Sequence, residues 1–437
     1  MTDKSTRRDF LKKSTAISAG AFLLPQIIPS TALGMGGKLP PSDRIIMGAI
    51  GVGSQGTGNM GTFLEHIKEV QFVAVCDVDS NHSKNAKGLV DAANKNSDCR
   101  TYGDYREFLE KEKLDAVCIA LPDHWHGLIY SAAANKKLDI YGEKPLARTI
   151  YDGRAIVSAV KRNNIVWQTG SWQRSTPNFH RAVELVLNGR IGKVTRIEVG
   201  LPDGNKGVGT PPVKDVPANL DWEMWLGPAP KVPFRGIVHW QWRWILDYSG
   251  GQLTDWAGHH IDIAQWGIGM ERSGPVEFSG EGVYPREGLF NVPVEYNINC
   301  KYANGIEMRV ANSSQLPTKN GGATWYGEKG WINVDRGRLI ASDPKILDEV
   351  IGENEIHPYK SINHVGNFLE CVKSRAETVA PVEIAHRSIS VGLLGEIAMT
   401  TGQKFQWDPV KEEIIGNPVA SRLLVRPYRE PWELPKI

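Results

Sequence analysis

Arg44-Ile45-Ile46-Met47-Gly48-Ala49-Ile50 is a short apolar run with the composition of a buried strand, and it enters Gly51-Val52-Gly53-Ser54-Gln55-Gly56. A helical pattern follows to about Ile67, and a second strand pattern, Val70–Val75, closes on Cys76-Asp77. Asp77 stands 21 positions past Gly56. Three glycines that leave a strand and open a helix, with an acid at the end of the next strand, have the geometry of a dinucleotide-binding turn. The glycines permit a tight turn and close backbone approach, while the helix N-terminus offers free N–H groups and positive dipole to a pyrophosphate. A carboxylate at Asp77 accepts from both ribose hydroxyls and repels a 2′-phosphate, which favours NAD over NADP. The competing reading is a structural glycine turn beside an acidic strand end. With 45 glycines in the chain, only the strand-before, helix-after context separates the two.

Outward from this turn the pattern keeps alternating. Ser80 to about Lys95 predicts a helix with Ser80 as N-cap, Asp104–Lys111 a helix, Asp115–Ala120 a strand and His124–Asn135 a helix. Leu138–Tyr141 predicts a strand, Thr149–Lys161 a helix and Ile165–Thr169 a last strand. Such alternation implies a doubly wound parallel sheet of Rossmann type over residues 43–170. Past Ser171 the helix spacing is lost. Strand patterns at Val194–Val199, Val276–Gly280, Val294–Lys301, Glu307–Ala311 and Trp331–Val334 dominate, with helices at about Asn178–Asn188, Ser361–Lys373 and Ala385–Thr401. This predicts a second α/β domain, 171–405, on a mostly antiparallel sheet. The Pro/Gly-rich stretch Leu201–Pro233 reads as a packed surface loop. Residues 406–437, with Pro409, Pro418, Pro427, Pro431 and Pro435, read as an extended arm.

The 437 residues, 41% apolar and 23% charged, suffice for two or three domains with cores. Lys+Arg 51 against Asp+Glu 49 leaves a net charge of +2, which argues against a nucleic-acid partner. Five cysteines, none in a CxxC pair, exclude a disulfide scaffold and a zinc ribbon. Cys76 and Cys118 sit in apolar runs and read as small buried hydrophobes. At the N-terminus, Ser5-Thr6-Arg7-Arg8-Asp9-Phe10-Leu11-Lys12 precedes a weak apolar stretch, Ala16–Ile28, and small residues Ser30-Thr31-Ala32. Residues 1–35 thus read as a bacterial twin-arginine signal, and the stretch is too short to span a bilayer. The expected product is periplasmic or otherwise exported, without an integral membrane span, and engages the export machinery. That route carries folded proteins, so a cytoplasmic cofactor has to be loaded first and held tightly afterwards.

Glu143-Lys144-Pro145 follows a strand and therefore sits on the carboxyl edge of the sheet, where ligands bind. A lysine there donates to a substrate oxygen and stabilises developing negative charge. Asp255 and His259 in Gly250-Gly251-Gln252-Leu253-Thr254-Asp255-Trp256-Ala257-Gly258-His259-His260-Ile261-Asp262 are four apart, on one face if helical, with Asp262 three further on. A histidine with a carboxylate one turn away is a natural general acid/base; a structural His–Asp pair is the alternative. Asp123-His124-Trp125-His126 contains HxH, but a catalytic zinc needs a third ligand in defined geometry, so no metal is expected. Trp240-Gln241-Trp242-Arg243-Trp244 alternates with period two, which on a strand turns all three rings one way, toward a sugar face or into an aromatic core.

Taken together, the Gly51–Gly56 turn, Leu121-Pro122-Asp123-His124-Trp125-His126, Gly142-Glu143-Lys144-Pro145, Asn188-Gly189-Arg190-Ile191-Gly192-Lys193-Val194 and the Gly-Gly…Asp255…His259…Asp262 run resemble the glucose–fructose oxidoreductase / inositol dehydrogenase (Gfo/Idh/MocA) family. The resemblance implies a Rossmann domain followed by an α/β domain with an open-faced sheet often used for dimers or tetramers. It implies Lys144, Asp255 and His259 as catalytic positions. Cofactor contacts are expected from Gly51, Gly53, Ser54, Gln55, Gly56, Asp77, Pro122, His126, Glu143 and Lys144. Contacts to a small carbohydrate are expected from Lys144, Arg243, Trp244, Asp255, His259 and His260. The segment Trp256–His260 is bulkier than in many members, and Glu-Lys-Pro separates the chain from the family's NAD-dependent glycoside hydrolases. The expected activity is oxidation of a sugar, polyol or glycoside hydroxyl with a tightly held NAD. The alternatives are a redox-neutral glycoside-cleaving or epimerising enzyme and a non-catalytic sugar-binding protein of the same fold.

Overall fold

The computed structural model describes residues 44–236 and 241–434. The export signal expected over residues 1–35, and Trp240, lie outside them. Six parallel strands form the first sheet: β1 (Ile45–Ile50), β2 (Val70–Cys76), β3 (Arg100–Tyr102), β4 (Ala116–Ile119), β5 (Asp139–Gly142) and β6 (Trp167–Thr169), in the order β3-β2-β1-β4-β5-β6. The reversal of strand order between β1 and β4 leaves a crevice beyond their carboxyl ends, directly above the glycine turn. Strand β3, an exposed three-residue edge, carries no apolar run and escaped the sequence reading.

Because side chains alternate across a strand, the sheet has two apolar faces. Helices α1 (Ser54–Leu64) and α2 (Ser80–Asn94) cover Met47, Phe72 and Val75. Helices α3 (Tyr105–Lys111), α4 (His126–Asn135) and α5 (Ile150–Asn163) cover Ile50, Val117 and Ile119. Helix α2 is capped by Asp79, whose carboxylate accepts from Asn81 N, rather than by Ser80, which is the first helical residue. The first face is completed from far along the chain. Phe368, on the helix His364–Ser374, meets Phe63 and Tyr141 at centroid distances of 5.8 and 5.9 Å.

The second sheet has nine strands: β7 (Val194–Leu201), β8 (Glu277–Val283), β9 (Glu295–Lys301), β10 (Glu307–Asn312), β11 (Gly322–Gly327), β12 (Gly330–Asp335), β13 (Arg338–Ala341), β14 (Phe405–Asp408) and β15 (Glu413–Ile415). Their order is β13-β12-β11-β7-β10-β9-β8-β14-β15, antiparallel throughout except for the parallel pair β7–β10. Period-two patterning puts Ile197, Val199, Ile298, Val310, Trp325 and Ile332 on the core face. The opposite face is polar, with Arg196 donating to Glu198 and Arg309 to Asn297.

The chain from residue 406 does not leave as an arm: β14 and β15 extend the sheet, and a short helix, Pro418–Ser421, follows. Only the portion beyond Val425 is extended, and it is packed. Tyr428 donates to Asp152, Arg429 donates to Gly227 O and Ala229 O, and Trp432 stands edge-on to Trp125 with centroids 4.9 Å apart. Residues Gln241–Trp244 form a 3₁₀ turn rather than a strand, so the period-two alternation does not turn Trp242 and Trp244 the same way. Trp242 is buried in a cluster with Leu226, Phe234 and Tyr248 that supplies the turn's stability. All five cysteines, Cys76 and Cys118 included, are buried and unpaired.

Candidate active site

The crevice is a groove of about 1050 Å³ with the glycine turn as its floor. Gly51 has φ +76°, and a Cβ there or at Gly56 would collide with backbone oxygen, of Ala120 and Gly51 respectively, so the tight turn needs both. Gly53 instead faces the groove, and helix α1 begins after it with no side chain capping its first N–H groups. Those donors are left for a ligand. Asp77 lines the groove at the end of β2; its oxygens accept from Val52 N and Asp79 N, each keeping acceptor capacity toward a ribose. His82 sits against Gly53 and 3.5 Å from Asp77, whose hydrogen bond raises the imidazole pKa. It lies inside helix α2, and no sequence signal marked it. Ser54, Gln55 and Pro122 complete the lining beside these residues.

Two sets of polar atoms, the uncapped α1 N–H groups and the Asp77 carboxylate with its spare acceptor capacity, thus face one elongated groove. This fits a dinucleotide, with the pyrophosphate over Gly53–Gln55 and a ribose at Asp77. The groove also has a roof. Residues 219–221 pair with 78–80 through Ser80 N to Asn219 O, Asp221 N to Val78 O and Asn219 Nδ2 to Asp79 Oδ1. Asp221 then caps the short helix Trp222–Leu226, which places Met224 and Trp225 over the floor, with Trp242 and Arg243 beside them. This is what the Pro/Gly-rich stretch builds.

The turn after β4 is the hub of the roof. Asp123 accepts from Ser249 Oγ at 2.6 Å, and burial pushes its carboxyl up to about 7. His124 Nε2 lies 3.2 Å from Trp225 O, and Trp125 Nε1 donates to the same oxygen at 3.0 Å. His126 lies behind the groove wall, its ring nitrogens 2.7 Å from Pro145 O and 3.0 Å from Leu121 O. Burial holds the two imidazoles low, at about 3 and about 4. Both histidines therefore bind backbone; no group of three or more His, Cys, Asp or Glu side chains among the described residues is arranged to hold a metal.

At the far end of the groove, Glu143 is buried and accepts from Asn59 Nδ2 at 2.8 Å and Gln55 Nε2 at 3.2 Å, which ties the Glu-Lys-Pro turn to helix α1. Lys144 Nζ projects across and donates to Asp255 Oδ1 at 2.9 Å; Arg243 Nε approaches the same oxygen at 3.4 Å. Burial alone would raise the Asp255 carboxyl, but the Lys144 ammonium and the Arg243 guanidinium outweigh it and hold it below the usual carboxylate range.

Asp255 lies in the last turn of the helix Gly251–Trp256, and a π turn, Ala257–Ile261, follows before Asp262–Trp266. In it Asp262 N donates to Ala257 O, five residues back. The extra residue breaks the i, i+4 relation expected between Asp255 and His259. Asp255 serves Lys144, not the imidazole. Gly258 lets this turn reach Lys144, since a Cβ there would lie 2.9 Å from the lysine Cβ. His259 is buried, with Trp256 and Trp172 edge-on at centroid distances of 5.5 and 6.4 Å. Burial, reinforced by Lys144, Arg336 and His260, holds its pKa well below the usual imidazole range. Its Nδ1 has no hydrogen-bond partner among the described residues.

Not every expected contact faces this spot. His260 packs between Phe179 and Trp256, with Nε2 3.5 Å from Asp335. Trp244 lies against Phe290 in the aromatic cluster under the roof. Asp262 points the other way, to Arg174 and Ser388. Conversely, Trp172 and Arg336 were missed: one is a lone tryptophan after β6, the other occupies the turn between β12 and β13.

Comparison with known proteins agrees with the two-sheet architecture. Residues 45–171 match the oxidoreductase family's NAD-binding Rossmann fold, and residues 203–434 match the same family's C-terminal alpha/beta domain. An uncharacterized oxidoreductase of Bacillus subtilis, YrbE, is 23% identical over 77% of this chain and 88% of its own length. The myo-inositol 2-dehydrogenase of Thermotoga maritima is 28% identical over 50% of this chain and 55% of its own. Among solved structures, the WlbA dehydrogenase of Bordetella pertussis, crystallised with NADH and UDP-GlcNAcA, superposes with a TM-score of 0.62 over 84% of this chain and 99% of that one, at 16% identity, a likeness of fold. The chain belongs to the Gfo/Idh/MocA oxidoreductase family, whose NAD-binding and C-terminal domains together span most of the described residues.

Proposed function

We propose that this oxidoreductase oxidises a secondary hydroxyl of a sugar, polyol or glycoside, using NAD that stays bound. One observation carries the reading: Lys144, at the end of the groove that fits a dinucleotide, donates to Asp255 at 2.9 Å and packs against Gly258 of the His259 turn. The nicotinamide would supply the hydride acceptor when bound. His259, neutral at pH 7, takes the hydroxyl proton, while Lys144 donates to the same oxygen and stabilises its alkoxide character. Asp255 keeps the ammonium aimed. The carboxylate of Asp77 at the ribose position favours NAD over NADP.

The roof supports tight retention, because Met224 and Trp225 lie over the groove and the C-terminal segment braces the roof from behind. Retention suits export through the twin-arginine route and a periplasmic location, where spent cofactor cannot be exchanged. A polar outer sheet face suits assembly with further copies of the chain. The same roof favours a second reading: a cofactor that never leaves can serve a redox-neutral cycle, in which a transient ketone acidifies the neighbouring C–H and permits glycoside cleavage.

The test is to heat-denature freshly purified protein and assay the released small molecules for nicotinamide dinucleotide. A sugar panel is then screened for turnover with an aldose or ketose acceptor. Stoichiometric NAD with acceptor-dependent turnover supports oxidation. Bond cleavage that needs NAD but no acceptor supports the second reading. Protein that neither retains nor binds a dinucleotide removes both.

A further inference from the structure

Arg336 occupies the turn between β12 and β13, far in sequence from the groove. Its guanidinium lies 4.8 Å from the centroid of Trp172 and 4.5 Å from that of Trp256, the two rings that flank His259. It stands close enough to His259 and Asp255 for its charge to act on both. Neither nearby carboxylate neutralises it by contact. Asp255 is taken up by Lys144 and Arg243. Asp335 accepts from the Arg336 backbone N–H and faces His260 at 3.5 Å and Arg338 at 3.8 Å. Among the described residues nothing accepts a hydrogen bond from the Arg336 guanidinium. Two indole faces therefore hold an exposed planar fork of donors, without a carboxylate partner, against the two rings that flank His259. Trp172 is 41% exposed beside it, an open aromatic face of the kind that carries sugar C–H groups.

A neutral sugar gives such a fork only hydroxyls to bind, whereas a carboxylate matches it with two parallel charge-assisted hydrogen bonds. We propose that Arg336 is the receptor for a carboxylate on the substrate, so that the site takes a uronic acid or its glycoside in preference to the neutral sugar. This rests on the oxidoreductase reading above and names the substrate class of that site. Trp172 and Trp256 hold the guanidinium in register, and His259 meets the hydroxyl that is oxidised.

The test compares D-glucuronate and D-galacturonate, with their methyl glycosides, against D-glucose and D-galactose, using the holoenzyme as purified. Turnover and calorimetric binding are both measured. Acidic sugars are expected to win in kcat/KM by about 100-fold, the order of a bidentate charge-assisted pair. Arg336→Gln collapses that ratio toward one, and Arg336→Lys restores part of it. A merely structural arginine would lower both substrates together and leave the ratio intact, which overturns the proposal. In the unaltered protein, D-glucuronamide, isosteric but uncharged, should lose the same factor, and this arm holds even if the variants misfold. Preference for hexose sulfates over uronates, or equal use of acidic and neutral sugars, also overturns it. If uronates bind in an Arg336-dependent way but no sugar is oxidised, the carboxylate site stands and the oxidoreductase reading falls. If neutral sugars are oxidised without preference, the reverse holds.

Discussion

Asp255 and Asp262 belong to one helical stretch, seven residues apart, and each receives a cation from the loops after the parallel strands: Lys144 after β5, Arg174 after β6. Their surroundings differ. Asp262 takes Arg174 through both oxygens, at 2.6 and 2.9 Å, and a third bond from Ser388; the arginine also reaches Glu271, and both partners are almost fully buried. Asp255 has a single-point contact with Lys144 and shares its oxygen with Arg243, and both of these cations line the groove. The saturated pair fastens the helix to the core. The unsaturated pair keeps an ammonium proton that can turn to a ligand. One helix carries both because a π turn between them points the two carboxylates to different sides.

The largest effect that would sharpen this contrast is Lys144→Ala, expected to lower turnover by about 10³-fold, the scale of a lost oxyanion donor, with cofactor retention kept. Steady-state kinetics beside heat-released NAD checks it, and undiminished turnover would remove Lys144 from the mechanism. Arg174→Ala should act on stability instead, by about 3–5 kcal/mol, because it strands the buried Asp262 charge. Denaturant unfolding reads this; a similar loss in Lys144→Ala would erase the distinction between the pairs. Asp255→Asn should cost about 100-fold in kcat with little change in unfolding, since it unfixes Lys144 rather than the core.

Smaller effects follow behind the groove and at the histidine. Trp432→Ala removes the edge-on ring behind Trp125, and should cost about 1–2 kcal/mol in unfolding and loosen cofactor retention, leaving Arg174–Asp262 untouched. The pH effect is smallest. Burial and the neighbouring cations depress the His259 pKa, so the imidazole stays neutral as pH falls through 6.5, and with His259 as the proposed base kcat/KM should decline only at more acid pH. An unperturbed imidazole would be about three-quarters protonated at pH 6, so the expected difference there is roughly fourfold. A kcat/KM limb centred at 6.5 would show that His259 is not the group that must be neutral.

Much of the first sheet was legible because its signals are local. Apolar runs of strand length, a glycine turn and the acid at Asp77 each act within a few residues of themselves, and parallel pairing follows from the alternation. What escaped was short, exposed or distant. β3 has no apolar run, β14 and β15 hide among prolines, and the helix His364–Ser374 shows its apolar face in sequence but not that it packs on the first sheet. The site divides in the same way. Lys144, Asp255 and His259 were each picked out from their own motifs, but the expected Asp255–His259 partnership assumed a regular helix, and one extra residue per turn undid it.

The family, the glycine turn and the residue types that chemistry requires can be read along the chain, because they are set by backbone conformation and periodicity over short spans. Which of those residues meet is a matter of packing. Lys144 finds Asp255 from 111 residues away, residues 219–225 roof a groove opened at residue 51, and Arg336 comes to rest between Trp172 and Trp256. Contacts of that kind depend on how packed layers align, and no local pattern in the chain records such alignment.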